Sequence, residues 1–238
     1  MIANRPFQIY SCGDHALTIV MGDQIAAEIN ELVLGLADYL QQLQIVGVRD
    51  IIPAFQTITV VYDLAILKKK YPKESVVERI KAILINAAQS FSINDHKKGR
   101  RVEIPVCYDL SLAPDLEALA GKHGMDIAEV IRLHTATIYR VYMIGFLPGF
   151  AYMGTVNPKI TTPRKEKPRT RVPKGSVGIA GSQTGIYPFD SPGGWQLIGQ
   201  TPLPLFDATQ SAPCLLNPGD EVIFSAITLA TFNQLTSL

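Results

Sequence analysis

The stretch PRTRVPKGSVGIAGSQTGIYPFDSPGGW, Pro168 to Trp195, decides how the second half of this chain is read. Six of its 28 residues are Gly, four are Pro, and it holds the chain's single Trp. So many turn formers point to a flexible linker. Yet Val172, Val177, Ile179, Ile186, Tyr187 and Trp195 are residue types that fold into cores. Three readings compete: a linker, a phosphate-binding loop, or the wall of a binding cleft.

The flanks favour a folded β context. Short β-type runs at Tyr139–Phe146, Ser176–Ala180, Gln196–Gly199 and Glu221–Ser225 alternate with Gly/Pro turns, which predicts a compact all-β barrel or sandwich. Upstream, Val102–Tyr108 reads as a strand. Two short helices follow, Asp115–His123 stopped by Gly124 and a second running from Asp126 to about His134. Asp126 and Glu129 fit the spacing of a capping box.

The first hundred residues have a different rhythm. Strands are expected at Phe7–Cys12, Ala16–Val20, Val48–Pro53 and Thr57–Tyr62. Ile25, Ile29, Leu32, Val33, Leu36, Leu40 and Leu43 mark one helix face, with Asp23 as its expected N-cap. Val76, Val77, Ile80, Ile83, Leu84, Ala87 and Phe91 mark a second, with Pro72 near its start. The order ββαββα describes a small sheet with helices on one side. The polar run Asn94–Arg101 reads as a solvated connection. The expected organisation is an α+β chain: a small α/β domain over residues 1–95, a linker over 96–101, and a β-barrel domain with a helical hairpin insertion over 102–238.

Bulk properties exclude several classes. Hydrophobic residues at 47% and charged residues at 18% describe an ordinary globular chain. A formal net charge of +1 supplies no global field to attract nucleic acid or an anionic membrane. No apolar run reaches the roughly 20 residues of a spanning helix, and the N-terminus lacks a signal-peptide pattern. Three scattered cysteines, Cys12, Cys107 and Cys214, fit neither a disulfide framework nor a metal site. A cytoplasmic protein with reduced thiols is expected.

Motif tests narrow the chemistry further. Around Gly178–Gly185 the glycine spacing is wrong for a P-loop, and Ile186 stands where its Lys is required. The Asp115–His134 hairpin offers Arg132 alone as a base reader, so a structural hairpin is favoured over a DNA-binding one. His15, His96, His123 and His134 lack metal-ligand spacing, and no metal is expected. No serine sits in G-x-S-x-G. A cation cluster does stand out: Arg164, Lys165, Lys167, Arg169, Arg171 and Lys174 lie within eleven residues, opposed only by Glu166. Arginine forks suit carboxylate or phosphate. Glycine-turn amides with Gln183, Thr184 and Tyr187 complete a candidate anion or amide site. A solvated loop is the competing reading.

These residues also carry a family resemblance. IRLHTATIYRVYMIGFLPGFAYMG (131–154), KPRTRVPKGSVGIAGSQTGIYPFDSPGGWQLIG (167–199), TPLPLFD (201–207) and LLNPGDEVIF (215–224) resemble the family of the 5-oxoprolinase B subunit (PxpB), also called the KipI family and formerly allophanate hydrolase subunit 1. GDHALTIVMGD (13–23) and GVRDIIPAFQTITVVYD (47–63) are similar to the family's first domain, so the resemblance spans nearly the whole chain. It implies a small α/β domain followed by a cyclophilin-like barrel. It also implies action with the A and C components of the same enzyme in ATP-dependent opening of 5-oxoproline (pyroglutamate) to L-glutamate, with this chain inactive alone. Two other family roles are kept as alternatives: inhibition of a sensor histidine kinase, and a carboxyltransferase part of an amide or urea carboxylating system.

Carried onto this sequence, the resemblance implies Arg164, Arg169 and Arg171 as anion contacts. Gln183, Thr184 and Tyr187 would be polar contacts to the substrate. His134 becomes a candidate acid/base group, with a helix-end cap as its competing role. Phe146, Phe150, Tyr152, Ser191 and Trp195 would build the cleft wall. No nucleotide motif is present, so ATP is expected at a site shared within the complex.

Overall fold

The computed structural model describes residues 6–92 and 99–237. The chain divides into two compact units, Met1–Lys98 and Gly99–Leu238. Of the expected linker, residues 96–98 lie outside the described residues, whereas Arg101 opens a strand.

In the first unit, β1 (Gln8–Ser11), β2 (Ala16–Val20), β3 (Val48–Ala54) and β4 (Thr57–Tyr62) form an antiparallel sheet in the order β1-β2-β4-β3. Alternation sorts the two faces. Leu17, Ile19, Ile58, Val60 and Tyr62 are buried in the core with the apolar faces of α1 (Ala27–Gln42) and α3 (Val76–Ser90). On the strands' other face Thr18 and Thr59 share a hydrogen bond of 2.9 Å across the ladder.

Helix ends depart from the expected signals. Helix α1 starts after Ala26 without a side-chain cap, so Asp23 is not its N-cap, and Ile25 and Leu43 remain exposed beyond its buried face. Ser75 caps α3 through the Glu78 amide. An extra short helix, α2 (Leu64–Lys70), begins at Asp63, whose carboxylate accepts the Ala65 and Ile66 amides at 2.8 and 3.0 Å.

The second unit is built on a closed barrel. Its strands are β5 (Arg101–Cys107), β6 (Ile138–Ile144), β7 (Ala151–Gly154), β9 (Ser176–Ala180), β10 (Gln183–Ile186), β12 (Gln196–Gln200) and β13 (Glu221–Ile227). They run β10-β7-β6-β13-β5-β12-β9 and close back onto β10. Closure removes every open edge, which is how an all-β wall avoids pairing with other chains. Strands β5 and β13 pair in parallel over seven residues, and the other pairings are antiparallel. Val106, Val141, Met153, Val177, Ile179, Ile198, Val222 and Phe224 fill the interior.

Helices α4 (Leu116–Lys122) and α5 (Ile127–Thr135) form the expected hairpin between β5 and β6. Gly124 adopts φ +64° at its turn. Asp126 caps α5 by accepting the Glu129 amide at 2.7 Å, but the Glu129 carboxylate binds Arg132. Only half of a capping box is therefore built. A final helix, α6 (Leu229–Thr236), follows β13.

The stretch that looked like a linker contains four strands. Besides β9 and β10 it carries β8 (Arg169–Val172) and β11 (Ser191–Gly193), which pair as a separate two-stranded ribbon.

Asp220 fastens the first barrel strand. Its buried carboxylate accepts the Arg100 amide at 2.9 Å, the Arg100 guanidinium at 2.7 Å and the Asn217 amide at 2.9 Å. Asp220→Ala removes the acceptor of two backbone amides and of the Arg100 guanidinium, at about 0.5–1.5 kcal/mol for each hydrogen bond and more for the charged one. A destabilisation of about 2–4 kcal/mol is expected, read as a lower urea midpoint; an unchanged midpoint would show that the Arg100 junction is dispensable.

Candidate functional site

A pocket of about 230 Å³ lies in the second unit, lined by Phe146, Phe150, Tyr152, Arg164, Pro168, Tyr187, Pro192, Gly193, Gly194 and Trp195. Its floor is a small aromatic cluster distinct from the barrel core, in which Phe150, Tyr187 and Trp195 are buried with Val172, Ala180 and Leu197. Phe150 meets Tyr152, Tyr187 and Trp195 edge-on at centroid distances of 4.8, 5.3 and 5.4 Å. Edge-to-face contacts of this kind hold rings in fixed orientations.

The glycines explain how a tryptophan lies so close to the sheet. Gly178 and Gly185 face each other across the β9–β10 ladder. A Cβ at Gly178 would stand 3.0 Å from the Trp195 Cβ, and one at Gly185 would stand 3.0 Å from Phe150 and from the Trp195 ring. The pair forms a flat bed for the indole. Gly193 is equally constrained, since a Cβ there would collide with the Tyr187 phenol.

The lining carries one charged residue. Arg164 holds its guanidinium 5.8 Å from the Trp195 ring centroid. Burial raises the phenol pKa values of Tyr152 and Tyr187, and the positive charge of Arg164 offsets part of that rise. Three neighbouring cations are neutralised within the protein. Buried Asp115, at the start of α4, accepts Lys165 at 2.8 Å, Arg169 at 2.6 Å and the Leu197 amide at 2.7 Å. Arg171 pairs with Asp190 at 2.7 Å, and Asp190 also accepts the Lys174 amide. Among the described residues, Arg164 has no carboxylate partner.

Kinship supports a functional reading of this geometry. The family model for the carboxyltransferase domain, subdomains C and D, matches residues 7–216. The chain is 43% identical over 227 residues to the 5-oxoprolinase B subunit of Bacillus subtilis (strain 168), covering 93% of each chain. It belongs to the 5-oxoprolinase B subunit family. It is also 36% identical over 215 residues to the 5-oxoprolinase B subunit of Escherichia coli O157:H7, covering 90% of this chain and 94% of that one. Among solved structures it matches TTHA0988 with a TM-score of 0.75 and 35% identity, covering 90% of this chain. It spans 40% of that longer chain.

For this family member, the residues singled out in the sequence fall into two groups. Phe146, Phe150, Arg164, Tyr187 and Trp195 meet at the pocket. Arg169 and Arg171 do not line it; they are committed to Asp115 and Asp190. Gln183 sits at the far end of β10, opposite Gly154, outside the lining. Ser191 lies on β11 beside the lining residue Pro192, with its buried hydroxyl unpartnered among the described residues. No described group of three or more His, Cys, Asp and Glu side chains comes together, and no described helix is long and apolar enough to cross a membrane.

His134 and Thr184 require correction, because both are fully buried. Thr184 donates its only hydroxyl proton to the Gly178 carbonyl at 3.0 Å, so it accepts from His134 Nε2 at 3.1 Å. Nδ1 then accepts from the Tyr108 hydroxyl at 2.8 Å, and the ring stacks on Phe224 with centroids 4.6 Å apart. Burial lowers the imidazole pKa from 6.5 to about 3. His134 is a neutral structural link, in place of the acid/base role, and Thr184 is its partner rather than a substrate contact.

Asp115 was legible only as a helix start, yet it organises the basic segment. Burial raises its pKa, but the Arg169, Lys165 and Leu197 hydrogen bonds together lower it below the usual carboxylate value. Asp115→Asn is expected to destabilise the fold by about 2–4 kcal/mol, near the low end for breaking a buried pair because both cations keep some contact with water. Urea unfolding measures this, and wild-type stability in the variant would remove Asp115 from its central place.

His134 makes a separate prediction about pH. The unfolded chain takes up a proton near pH 6.5, whereas the folded imidazole stays neutral until about pH 3. The unfolded state therefore binds more protons, and stability falls as pH drops from 6.5 toward 3. His134→Gln, which keeps a donor and an acceptor, is expected to flatten the decline in urea midpoint between pH 6.5 and 5. An unchanged slope would assign that decline to other groups.

Proposed function

We propose that this chain is the B component of a three-component, ATP-dependent 5-oxoprolinase that opens 5-oxoproline to L-glutamate, acting with the A and C components and inactive alone. The observation that carries this reading is the 43% identity to a 5-oxoprolinase B subunit over 93% of both chains. The pocket is consistent with it. A small flat amide suits an aromatic cage of about 230 Å³, and a carboxylate suits the adjacent guanidinium.

The chemistry needs help from outside this pocket. A lactam carbonyl is a poor electrophile, and phosphoryl transfer to its oxygen makes that carbon open to attack by water. The transition state gathers negative charge, which calls for preorganised donors beyond the single guanidinium of this pocket. A triphosphate calls for several donors and a metal ion, and the lining supplies one guanidinium in a space below the usual range of about 300–1,000 Å³ for ligand pockets. ATP does not fit here. We place it at a site shared with the C component.

Reconstitution tests the reading. Glutamate is expected from 5-oxoproline and ATP when this chain is mixed with the A and C components, and from neither this chain alone nor the A–C mixture. Full turnover without this chain would overturn the assignment.

A further inference from the structure

The pocket rim carries an unusual backbone conformation. Phe146 occupies φ +70°, a region rarely adopted by an L-residue with a bulky side chain. The Leu147 amide donates to the Gly145 carbonyl at 2.9 Å, so Phe146 is the centre of a strained three-residue turn. The turn is held shut by Gly145 N to Phe150 O and Phe150 N to Leu147 O, at 3.1 and 3.0 Å. Its product is a phenyl ring left 61% exposed, standing edge-on to Phe150 at 5.5 Å. A strained backbone that displays a large apolar ring at a pocket mouth points to a ligand rather than to folding.

The lining then restricts what that ligand is. Flat aromatic surface from Phe146, Phe150, Tyr152 and Trp195 favours a small, flat body. A quaternary or primary ammonium would also suit such a cage, but Arg164 already places a positive charge over Trp195 and would repel it. With Lys165, Arg169 and Arg171 neutralised by Asp115 and Asp190, the lining offers one positive charge. That matches a ligand with one anionic group.

Resting on the 5-oxoprolinase reading, we infer that this chain itself holds the amide substrate: a planar, monoanionic five-membered lactam whose carboxylate pairs with Arg164 and whose ring is covered by Phe146. The amide keeps the ring close to flat, which suits contact with an aromatic face. Arg164 supplies selectivity for the acid, and Phe146 supplies contact with the ring.

The fold provides its own reporter, because Trp195 is the single Trp of the chain and lies in the pocket. Purified full-length chain is titrated with 5-oxoproline, with 2-pyrrolidone, which lacks the carboxylate, and with ATP plus Mg²⁺. Tryptophan emission and titration calorimetry are read in parallel. Saturable binding of 5-oxoproline is expected, with 2-pyrrolidone at least tenfold weaker and no binding of ATP at this site. Arg164→Gln should weaken 5-oxoproline about tenfold without weakening 2-pyrrolidone, whereas Phe146→Ala should weaken both. Lys167→Gln, which removes a charge from the same segment, should change neither.

Absence of saturable 5-oxoproline binding by both methods to folded chain overturns the inference. So does unchanged affinity in Arg164→Gln, or displacement of 5-oxoproline by ATP. The reconstituted assay keeps the two claims apart. Turnover by the complex without binding to this chain sinks the inference and spares the proposed function; binding to this chain with an inactive complete complex does the reverse.

Discussion

The buried carboxylate of Asp115 is the constraint on which the second unit depends. It joins three places far apart in sequence: the first turn of α4, the basic segment at Lys165 and Arg169, and the backbone of β12 at Leu197. The Asp115 amide also donates to the Leu197 carbonyl at 3.0 Å, so one residue brackets Leu197 on both sides. Six cations in eleven residues would repel one another on a free loop. Ion pairing turns two of them into a staple, and Asp190 does the same for a third. A segment that reads as a solvated charge run is thereby fixed, and Arg164 is delivered beside Trp195.

The two faces of the β9–β10 pair carry different burdens. Inward, Val177, Ile179 and Ile186 join the barrel core, and Thr184 ties the pair to α5 through His134. Outward, Gly178 and Gly185 leave the flat bed on which Trp195 rests. The Gly178 carbonyl that accepts from Thr184 belongs to that same bed. A polar chain with every member satisfied is rigid, and an unsatisfied one is costly at a low dielectric. The Tyr108–His134–Thr184–Gly178 chain thus holds the platform under the candidate site while its central histidine remains out of reach of any substrate.

Periodic apolar faces made the first sheet, its two long helices and the α4–α5 hairpin legible in the sequence, since alternation and helical spacing report burial directly. Helix α2 was hidden because seven residues show too little periodicity, and Asp63 was the one signal that could have found it. The ribbon β8–β11 was hidden because Gly and Pro mark turns in most contexts. Here Gly178 and Gly185 are strand residues whose missing side chains make room for an indole, a requirement set by Trp195 from beyond β11. The aromatic members of the pocket were singled out by the family resemblance. For Arg169, Arg171, Thr184 and His134, residue type tells what a side chain can bind, while Asp115, Asp190, Gly178 and Tyr108 are the partners that engage it in the fold. None of those partners is adjacent in sequence to the residue it occupies.

Neutralising Lys165, Arg169 and Arg171 also changes what the cation at the pocket is worth. Several unpaired cations would bind any anion, weakly and with strong screening by salt. Arg164 is itself exposed and screened on its solvent side, and the Trp195 face beside it gives its contact a direction. The price of that arrangement is carried by the protein's own carboxylates, Asp115 above all, which must remain ionised and buried for the segment to hold its shape. The ion pairs that hold the basic segment also keep Lys165 and Arg169 from standing as free cations near the pocket, and a substitution that frees either would loosen the fold and add charge near Arg164.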